Sequence, residues 1–126
     1  MPVLEKAKAV YKIWTGLHRN IERTARFGIG NKVDQLFLEL LELLRKAGYT
    51  PINKKIILLE SVSEHIDSLR FFIQLLWELR LISNPQYISL AADMEDLGKM
   101  VGGWKKGLLQ KQIKPDAQQY MRPERK

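Results

Sequence analysis

Apolar residues recur along this chain in four stretches, at the alternating spacing of three and four that amphipathic helices show. The first stretch extends to Thr24, and its apolar face consists of Val3, Ala7, Val10, Trp14, Leu17 and Ile21. Residues 28–31 then mark a break or a sharp joint. The second stretch runs from about Lys32 to Ala47 and stops at Gly48, where a left-handed cap is expected. No stretch has the alternation of a β-strand, so the pattern predicts an all-α fold.

The third stretch begins near Asn53 and extends to Leu81 or Ile82, which is long for a helix of a globular protein. Its polar residues form one narrow stripe, which consists of Glu60, Glu64, Asp67, Arg70, Gln74 and Glu78. A helix that is apolar over more than half of its surface must bury more than one face. Because one face suffices inside a four-helix monomer, the excess predicts a homo-oligomer.

The fourth stretch begins at residues 83–85, where Ser83 or Asn84 is a natural N-cap and Pro85 suits the first helical position. Its connection to the third stretch is short, and short connections favour antiparallel neighbours. The sequence therefore predicts an antiparallel, up-down-up-down four-helix bundle over residues 1–109. The apolar pattern ends after Leu109, and residues 110–126 are predicted to form a basic, disordered tail.

The net charge of +7 is concentrated toward the end of the chain. From residue 105 to residue 126, seven basic residues stand against two acidic ones, a net of +5. Residues 1–104 hold 14 basic and 12 acidic residues, a net of +2. A basic tail on a nearly neutral body is a common way to hold a polyanion, and a solvating tail is the alternative.

Catalytic chemistry finds little support in the sequence. His18 and His65 stand in no metal-ligand spacing, and the carboxylates of the third stretch share its solvent stripe. We therefore expect no enzyme activity, no cofactor and no metal site. The chain has no cysteine, no signal-peptide pattern at its start and no apolar run long enough to span a membrane, which predicts a cytoplasmic protein without membrane contact.

Basic residues near the predicted helix ends are the candidates for binding nucleic acid or a protein partner. They are Arg19, Arg23 and Arg26 near the end of the first helix, Arg45, Lys46, Lys54 and Lys55 around the second connection, and Lys105 and Lys106 after the fourth helix. In an antiparallel bundle the last six share one pole. The helix dipole explains cations at C-termini, but it does not explain Lys54 and Lys55 at an N-terminus. Arg70 is the tenth candidate, and an intrahelical contact with Asp67 or Gln74 is its alternative role.

Three glycines and a tryptophan precede the last basic pair: Gly98, Gly102, Gly103 and Trp104. Each glycine costs about 1 kcal/mol relative to alanine inside a helix, so the cluster needs a reason. Gly98 and Gly102 lie four apart on the packing seam, which predicts close approach of a neighbouring helix. Gly103 lies off the seam and is expected to loosen the helix, and Trp104 is expected to close the end of the core.

Three segments stand in an order and spacing that resemble a known family: ARFGIGNK (residues 25–32), SLRFF (68–72) and LGKMVGGW (97–104). The chain resembles the Avd-like four-helix bundle proteins, which include the accessory variability determinant of diversity-generating retroelements and bundle proteins encoded in intervening sequences of bacterial 23S ribosomal RNA. In this resemblance, Arg26 and Phe27 match the joint, Arg70 matches the third-helix motif, and the glycine-tryptophan cluster matches the fourth-helix motif. Two features depart from the family: residues 17–20 lack its Phe-Pro entry, and the basic tail has no counterpart.

The resemblance implies a pentameric ring of bundles with a basic surface that binds RNA or DNA. It also implies a reverse transcriptase as partner, which the accessory protein helps to make mutagenic cDNA without any catalytic activity of its own. The alternative is a structural bundle of the 23S ribosomal intervening-sequence type with generic RNA binding. A bundle enzyme would need inward-facing carboxylates or histidines, and the sequence shows none.

Overall fold

Four long helices carry the fold in a computed structural model that describes the backbone of residues 1–124 and the side chains of residues 1–111. They are α1 (Pro2–His18), α2 (Asn31–Ala47), α3 (Ile52–Glu78) and α4 (Asn84–Glu124). A short helical turn (Arg23–Ala25) and a π-helical turn (Arg26–Gly30), together called the joint, connect α1 to α2. Residues 1–124 contain no strand, so the predicted all-α, four-helix fold is confirmed. The backbone of α4 continues to Glu124, while the side chains of the predicted tail from residue 112 onward lie outside the described residues.

The four helices share one apolar core. Its largest fully buried side chains come from every helix: Val10, Trp14, Phe37, Leu40, Leu44, Leu59, Leu69, Ile73, Leu76, Leu90, Met94 and Leu97. Each buried aliphatic or aromatic side chain of this size stabilises the fold by about 1.5–3 kcal/mol through removal from water. The polar stripe predicted for α3 is exposed along its whole length. Among the described residues, no helix combines the length and apolar character needed to cross a lipid bilayer.

Contacts between neighbouring helices join an early residue of one to a late residue of the next. The Met1 methyl group lies 3.2 Å from the position of an added Cβ at Gly48, at the end of α2. Between α2 and α3, the Lys32 Nζ lies 6.0 Å from the centre of the Phe72 ring. Between α3 and α4, the Lys55 Nζ lies 5.7 Å from the centre of the Trp104 ring. These pairs determine which helix ends lie together.

Helix α1 ends at His18, six residues before the predicted end at Thr24. The Ile21 N–H donates to the His18 carbonyl at 3.2 Å, which closes the helix. The Glu22 carboxylate then accepts the backbone N–H groups of Thr24 and Ala25, at 3.0 and 3.2 Å, and begins a new turn. The predicted continuation is therefore wrong. Residues 28–31 do not interrupt the helical structure either, because the π-helical turn leads directly into α2.

The ends of α2 and α3 differ from the expected pattern of caps. Gly48 has φ −62° and ψ −25°, so the predicted left-handed cap is wrong. The left-handed residue is instead Arg80, with φ 60°, just after α3. The Arg80 and Leu81 N–H groups donate to the carbonyls of Trp77 and Leu76, both at 2.9 Å, and so satisfy the last turn. An L-residue in this conformation costs about 1–2 kcal/mol.

The predicted cap of α4 is confirmed at Ser83. Its hydroxyl oxygen accepts the Gln86 N–H at 3.2 Å, and the Gln86 side-chain oxygen accepts the Ser83 N–H at 2.8 Å. This reciprocal pair is a capping box, which satisfies two N–H groups that the helix leaves unbonded. It sets the start of the helix that carries the glycine-tryptophan cluster.

Candidate nucleic-acid interface

Six of the predicted cations lie around one end of the fold, which we call the basic pole. They are Arg45, Lys46, Lys54, Lys55, Lys105 and Lys106. The connection between α2 and α3 holds the first four together, because only residues 48–51 separate the two helices. The Lys55–Trp104 contact brings residue 105 and its neighbour to the same end. Three separate segments of sequence therefore form one cationic surface.

Negative charge is scarce in the segments that form the basic pole, and Glu5 in the first turn of α1, which begins at the same end, is paired with Lys8 at 3.4 Å. Within residues 42–55 and 100–111, the only acidic residue is Glu42. Its carboxylate accepts a hydrogen bond from the Arg45 guanidinium, which lowers the pKa of Glu42 and raises the pKa of Arg45. Glu42 and Arg45 therefore largely compensate each other, and no other carboxylate of these segments faces the lysines of the pole.

All five lysines of the basic pole lack an ion pair with any residue of the described part: Lys46, Lys54, Lys55, Lys105 and Lys106. Elsewhere in the described part, Lys6, Lys8 and Lys99 are paired with carboxylates, at 3.1 Å for Lys6 and Asp93 and 3.5 Å for Lys99 and Glu95, whereas Lys12 and Lys32 form no ion pair. Uncompensated lysines on one surface attract phosphates and release the counterions that surround a nucleic acid. The arrangement favours backbone contact, which carries no sequence information of its own.

The first turn of α3 adds to the positive potential. It has no capping side chain and no acidic residue, and it holds Lys54 and Lys55. Helix N-termini carry a partial positive charge, so both lysines stand where the dipole disfavours them. Lys55 is offset by the electron-rich face of Trp104, whereas Lys54 is exposed to water. Helix capping does not account for Lys54, and an anionic ligand would.

The three arginines of the first segment lie at the joint, at the other end of α2 from the basic pole. Arg19 and Arg23 are exposed, whereas Arg26 is half-buried and its Nη1 donates to the Arg19 carbonyl at 3.4 Å. The Glu22 carboxylate lies nearby, and bonds from Thr24 and Ala25 hold its pKa below the ordinary value. The structure therefore divides the predicted cations between two surfaces, of which the joint is the less positive.

Arg70 belongs to neither end. It lies exposed on α3, at the rim of a shallow groove between α3 and α4 whose other walls include Ile73, Ala91 and Glu95. A second depression, beside Gly98 and Lys99, shares Arg70 and Glu95 with the first. No ion pair or hydrogen bond of Arg70 occurs among the described side chains, and Gln74 donates to Glu78 instead. The proposed contact with Asp67 or Gln74 is therefore absent.

Within the described part of this chain, no neighbouring helix brings its backbone close to the glycines of α4. A Cβ at Gly98 would stand 3.9 Å from the Ile66 methyl group, which is ordinary van der Waals contact, and one at Gly102 or Gly103 would meet nothing within 4 Å. The predicted close approach at Gly98 and Gly102 is therefore wrong for the single chain. Trp104 is half-buried against the core, as expected, and Phe27 at the joint is 70% exposed.

A polar cluster beside the joint was missed by the sequence reasoning. The Asp34 carboxylate accepts hydrogen bonds from the Tyr11 hydroxyl at 3.0 Å and the Trp14 Nε1 at 3.2 Å. The His18 ring stacks on Trp14 and faces Gly30, where an added Cβ would stand only 2.9 Å from the His18 Nε2. The helical spacing of Tyr11, Trp14 and His18 is visible in the sequence, but their common partner on another helix is not.

In the part of the chain with described side chains, no three His, Asp or Glu residues stand together in a way that could hold a metal ion. His65 is engaged by its neighbours: its Nδ1 lies 2.9 Å from the Ser61 carbonyl and its Nε2 lies 2.9 Å from Glu39. The contact with Glu39 joins α2 to α3, and the contact with Ser61 lies within α3. They give the histidine a structural task at this position.

Comparison with models of known protein families found no match to this chain, and comparison with curated protein sequences found none either. The interpretation of the interface therefore depends on the geometry described above and on the three sequence segments that resemble the Avd-like proteins.

Proposed function

We propose that this chain is a non-enzymatic accessory protein of a diversity-generating retroelement, which binds nucleic acid through the basic pole. The observation that carries the nucleic-acid part is the set of five lysines without an ion pair in the described part of the chain, in segments 42–55 and 100–111 whose single acidic residue, Glu42, is already bonded to Arg45. Such a surface neutralises phosphates with little dependence on base sequence.

A reverse transcriptase is the proposed protein partner, and support for mutagenic cDNA synthesis in the cytoplasm is the proposed role. Both proposals depend on the resemblance of residues 25–32, 68–72 and 97–104 to the Avd-like proteins. The exposed position of Arg70 in the α3–α4 groove supports a contact with a partner at the second of these motifs. A pull-down with the candidate reverse transcriptase tests this part, and an Arg70→Ala variant provides the comparison.

An antiparallel, up-down-up-down bundle in a homo-oligomeric ring of five copies is the proposed assembly. The pairing of early with late residues in neighbouring helices supports the antiparallel order. Exposed apolar side chains on α3, among them Ile57 and Phe71 at 64% and 63% exposure, support burial against other copies. Light scattering should give a mass of about five times 14.7 kDa; a monomer at micromolar concentration would contradict the assembly.

Nucleic-acid binding is tested by fluorescence anisotropy with labelled RNA, DNA and hybrid probes over a series of salt concentrations. We expect binding at low salt that weakens by about 0.7–0.9 log units per log unit of salt for every phosphate contacted. Failure to bind any of these probes at low salt would overturn the proposal. Binding without any association with a reverse transcriptase would favour the alternative, a generic RNA-binding bundle.

A further inference from the structure

Six tyrosine and tryptophan side chains are described, and five of them form a hydrogen bond, a ring stack or a cation-π contact within the chain. Tyr11 and Trp14 donate to Asp34, Trp77 stacks on Tyr87 with ring centres 4.6 Å apart, and Trp104 carries Lys55 over its face. The exception is Tyr49, whose ring is 87% exposed and has no stacking partner, no cation over its face and no hydrogen bond among the described residues. This unused aromatic ring stands at the basic pole.

The backbone around Tyr49 is held although its ring is free. The Tyr49 N–H donates to the Lys46 carbonyl at 3.1 Å, and the Thr50 hydroxyl donates to the same carbonyl at 2.7 Å. On the other side, the Pro51 carbonyl accepts the Lys55 N–H at 2.8 Å, which ties the connection to the first turn of α3. The ring is therefore presented from a fixed position, so a ligand that stacks on it need not order the loop first.

Tyr49 also lies between cations along the chain. Arg45 and Lys46 precede it, Lys54 and Lys55 follow it, and Lys105 lies on α4 next to Trp104, the residue that Lys55 contacts. A groove of cations that follows a phosphate backbone, with an aromatic ring on which a base stacks, is the combination that binds single strands without sequence preference. In a duplex the bases are stacked on one another and their faces are not available to the ring.

We propose that the basic pole binds unpaired nucleotides, with one base stacked on Tyr49 and the neighbouring phosphates held by the lysines. This inference rests on the proposed nucleic-acid function and specifies its ligand: a single-stranded segment of RNA or DNA, or a strand end. The sugar is not specified, because stacking and phosphate contact are common to both nucleic acids.

The test compares Tyr49→Leu, which keeps an apolar side chain but removes the ring, with Tyr49→Phe, which keeps the ring. Phe27→Leu removes another exposed ring, at the joint, and is the matched control. The probes are a labelled ten-nucleotide strand, an abasic strand of the same length and a duplex of the same length. Far-UV circular dichroism verifies that each variant is folded, which the exposure of both positions leads us to expect.

The wild-type protein should prefer the strand with bases to the abasic strand and to the duplex. Tyr49→Leu should weaken binding of the strand with bases by about five- to a hundred-fold, the range that loss of one stacked base produces. Binding of the abasic strand should not change, and the slope with salt should stay the same because no phosphate contact is lost. Tyr49→Phe and Phe27→Leu should bind like the wild type.

Equal affinity of the wild type for strands with and without bases would overturn this inference, and so would unchanged binding by Tyr49→Leu or tighter binding of the duplex. In each of these cases the proposed binding of phosphates by the basic pole would stand. Failure of every probe to bind would overturn both proposals together.

Discussion

Alanine should have opposite effects at two glycines, because the space around them differs. At Gly30 an added Cβ would stand 2.9 Å from the His18 Nε2 and 3.2 Å from the Ala25 carbonyl oxygen. The His18 ring is stacked on Trp14, with ring centres 5.0 Å apart, so it cannot turn aside without losing that contact. The Ala25 oxygen belongs to the backbone of the joint and is equally restrained. At Gly102 an added Cβ would meet nothing within 4 Å.

These distances give the expected magnitudes. Overpacking against restrained atoms costs about 2 kcal/mol, the middle of its usual range, and the better helix propensity of alanine offsets up to about 1 kcal/mol of it, so Gly30→Ala should lower the free energy of unfolding by about 1–2 kcal/mol. Gly102→Ala meets no steric contact and keeps only the gain in helix propensity, so it should raise the free energy of unfolding by about 0.5–1 kcal/mol. The dihedral angles of Gly30, φ −59° and ψ −47°, suit alanine, so steric contact alone decides the first effect.

The assay is urea unfolding followed by circular dichroism, with all proteins at the same concentration because assembly affects stability. The midpoint should move down for Gly30→Ala and up for Gly102→Ala, with the slope against urea unchanged. A Gly30→Ala variant as stable as the wild type would refute the packing described for the joint. Loss of stability in Gly102→Ala would refute the open surroundings of that glycine and indicate that another chain packs there.

Two further predictions concern polar contacts. Tyr11→Phe removes a donor from the charged, half-buried Asp34 and should lower the free energy of unfolding by about 1.5–3 kcal/mol, whereas Tyr87→Phe, whose hydroxyl has no partner among the described residues, should have no measurable effect. The bond to His65 lowers the pKa of Glu39 below its ordinary value of 4.5, so this carboxylate stabilises the fold above that pH and the stability is lost as the pH falls through the lowered pKa. Glu39→Gln should therefore make acid unfolding less steep below about pH 4.5, and an unchanged acid profile would contradict this assignment.

Much of the fold follows from the sequence because burial leaves a regular pattern. The apolar spacing predicts four helices, and Ser83 with Gln86 predicts the start of α4. The end of α1 was missed for a physical reason. Ile21 is buried although it lies outside a helix, so the apolar period continues past His18 while the hydrogen bonding does not. Periodicity reports which residues face the core and says nothing about where a carboxylate such as Glu22 starts a new turn.

The candidate interface was predictable only in part. The adjacent pairs of cations at residues 45–46, 54–55 and 105–106 are evident in the sequence, and their expected position at helix ends predicts a common pole. The third pair in fact lies inside α4, which continues to Glu124, and it is the Lys55–Trp104 contact that brings it to the pole. Whether a cation is compensated depends on contacts across the fold. Arg45 is bonded to Glu42, and Lys55 faces Trp104. The sequence also did not reveal that the glycines expected to pack against a neighbour have free space around them. These contacts depend on how the helices pack, which the spacing of residues along the chain does not specify.

The central claim is that the basic pole, and not the total charge of the protein, binds nucleic acid. The most direct measurement is the salt dependence of single-strand binding for the double variant Lys54→Ala/Lys105→Ala. Its matched control, Lys12→Ala/Lys32→Ala, changes the net charge equally and also removes lysines without an ion pair in the described part, but Lys12 lies within α1 and Lys32 lies at the opposite end of α2 from the pole. We expect the first variant to bind more weakly, with a salt slope reduced by about 1.4 for two lost phosphate contacts, and the control to bind like the wild type. Equal weakening in both variants, or an unchanged slope in the first, would contradict the claim.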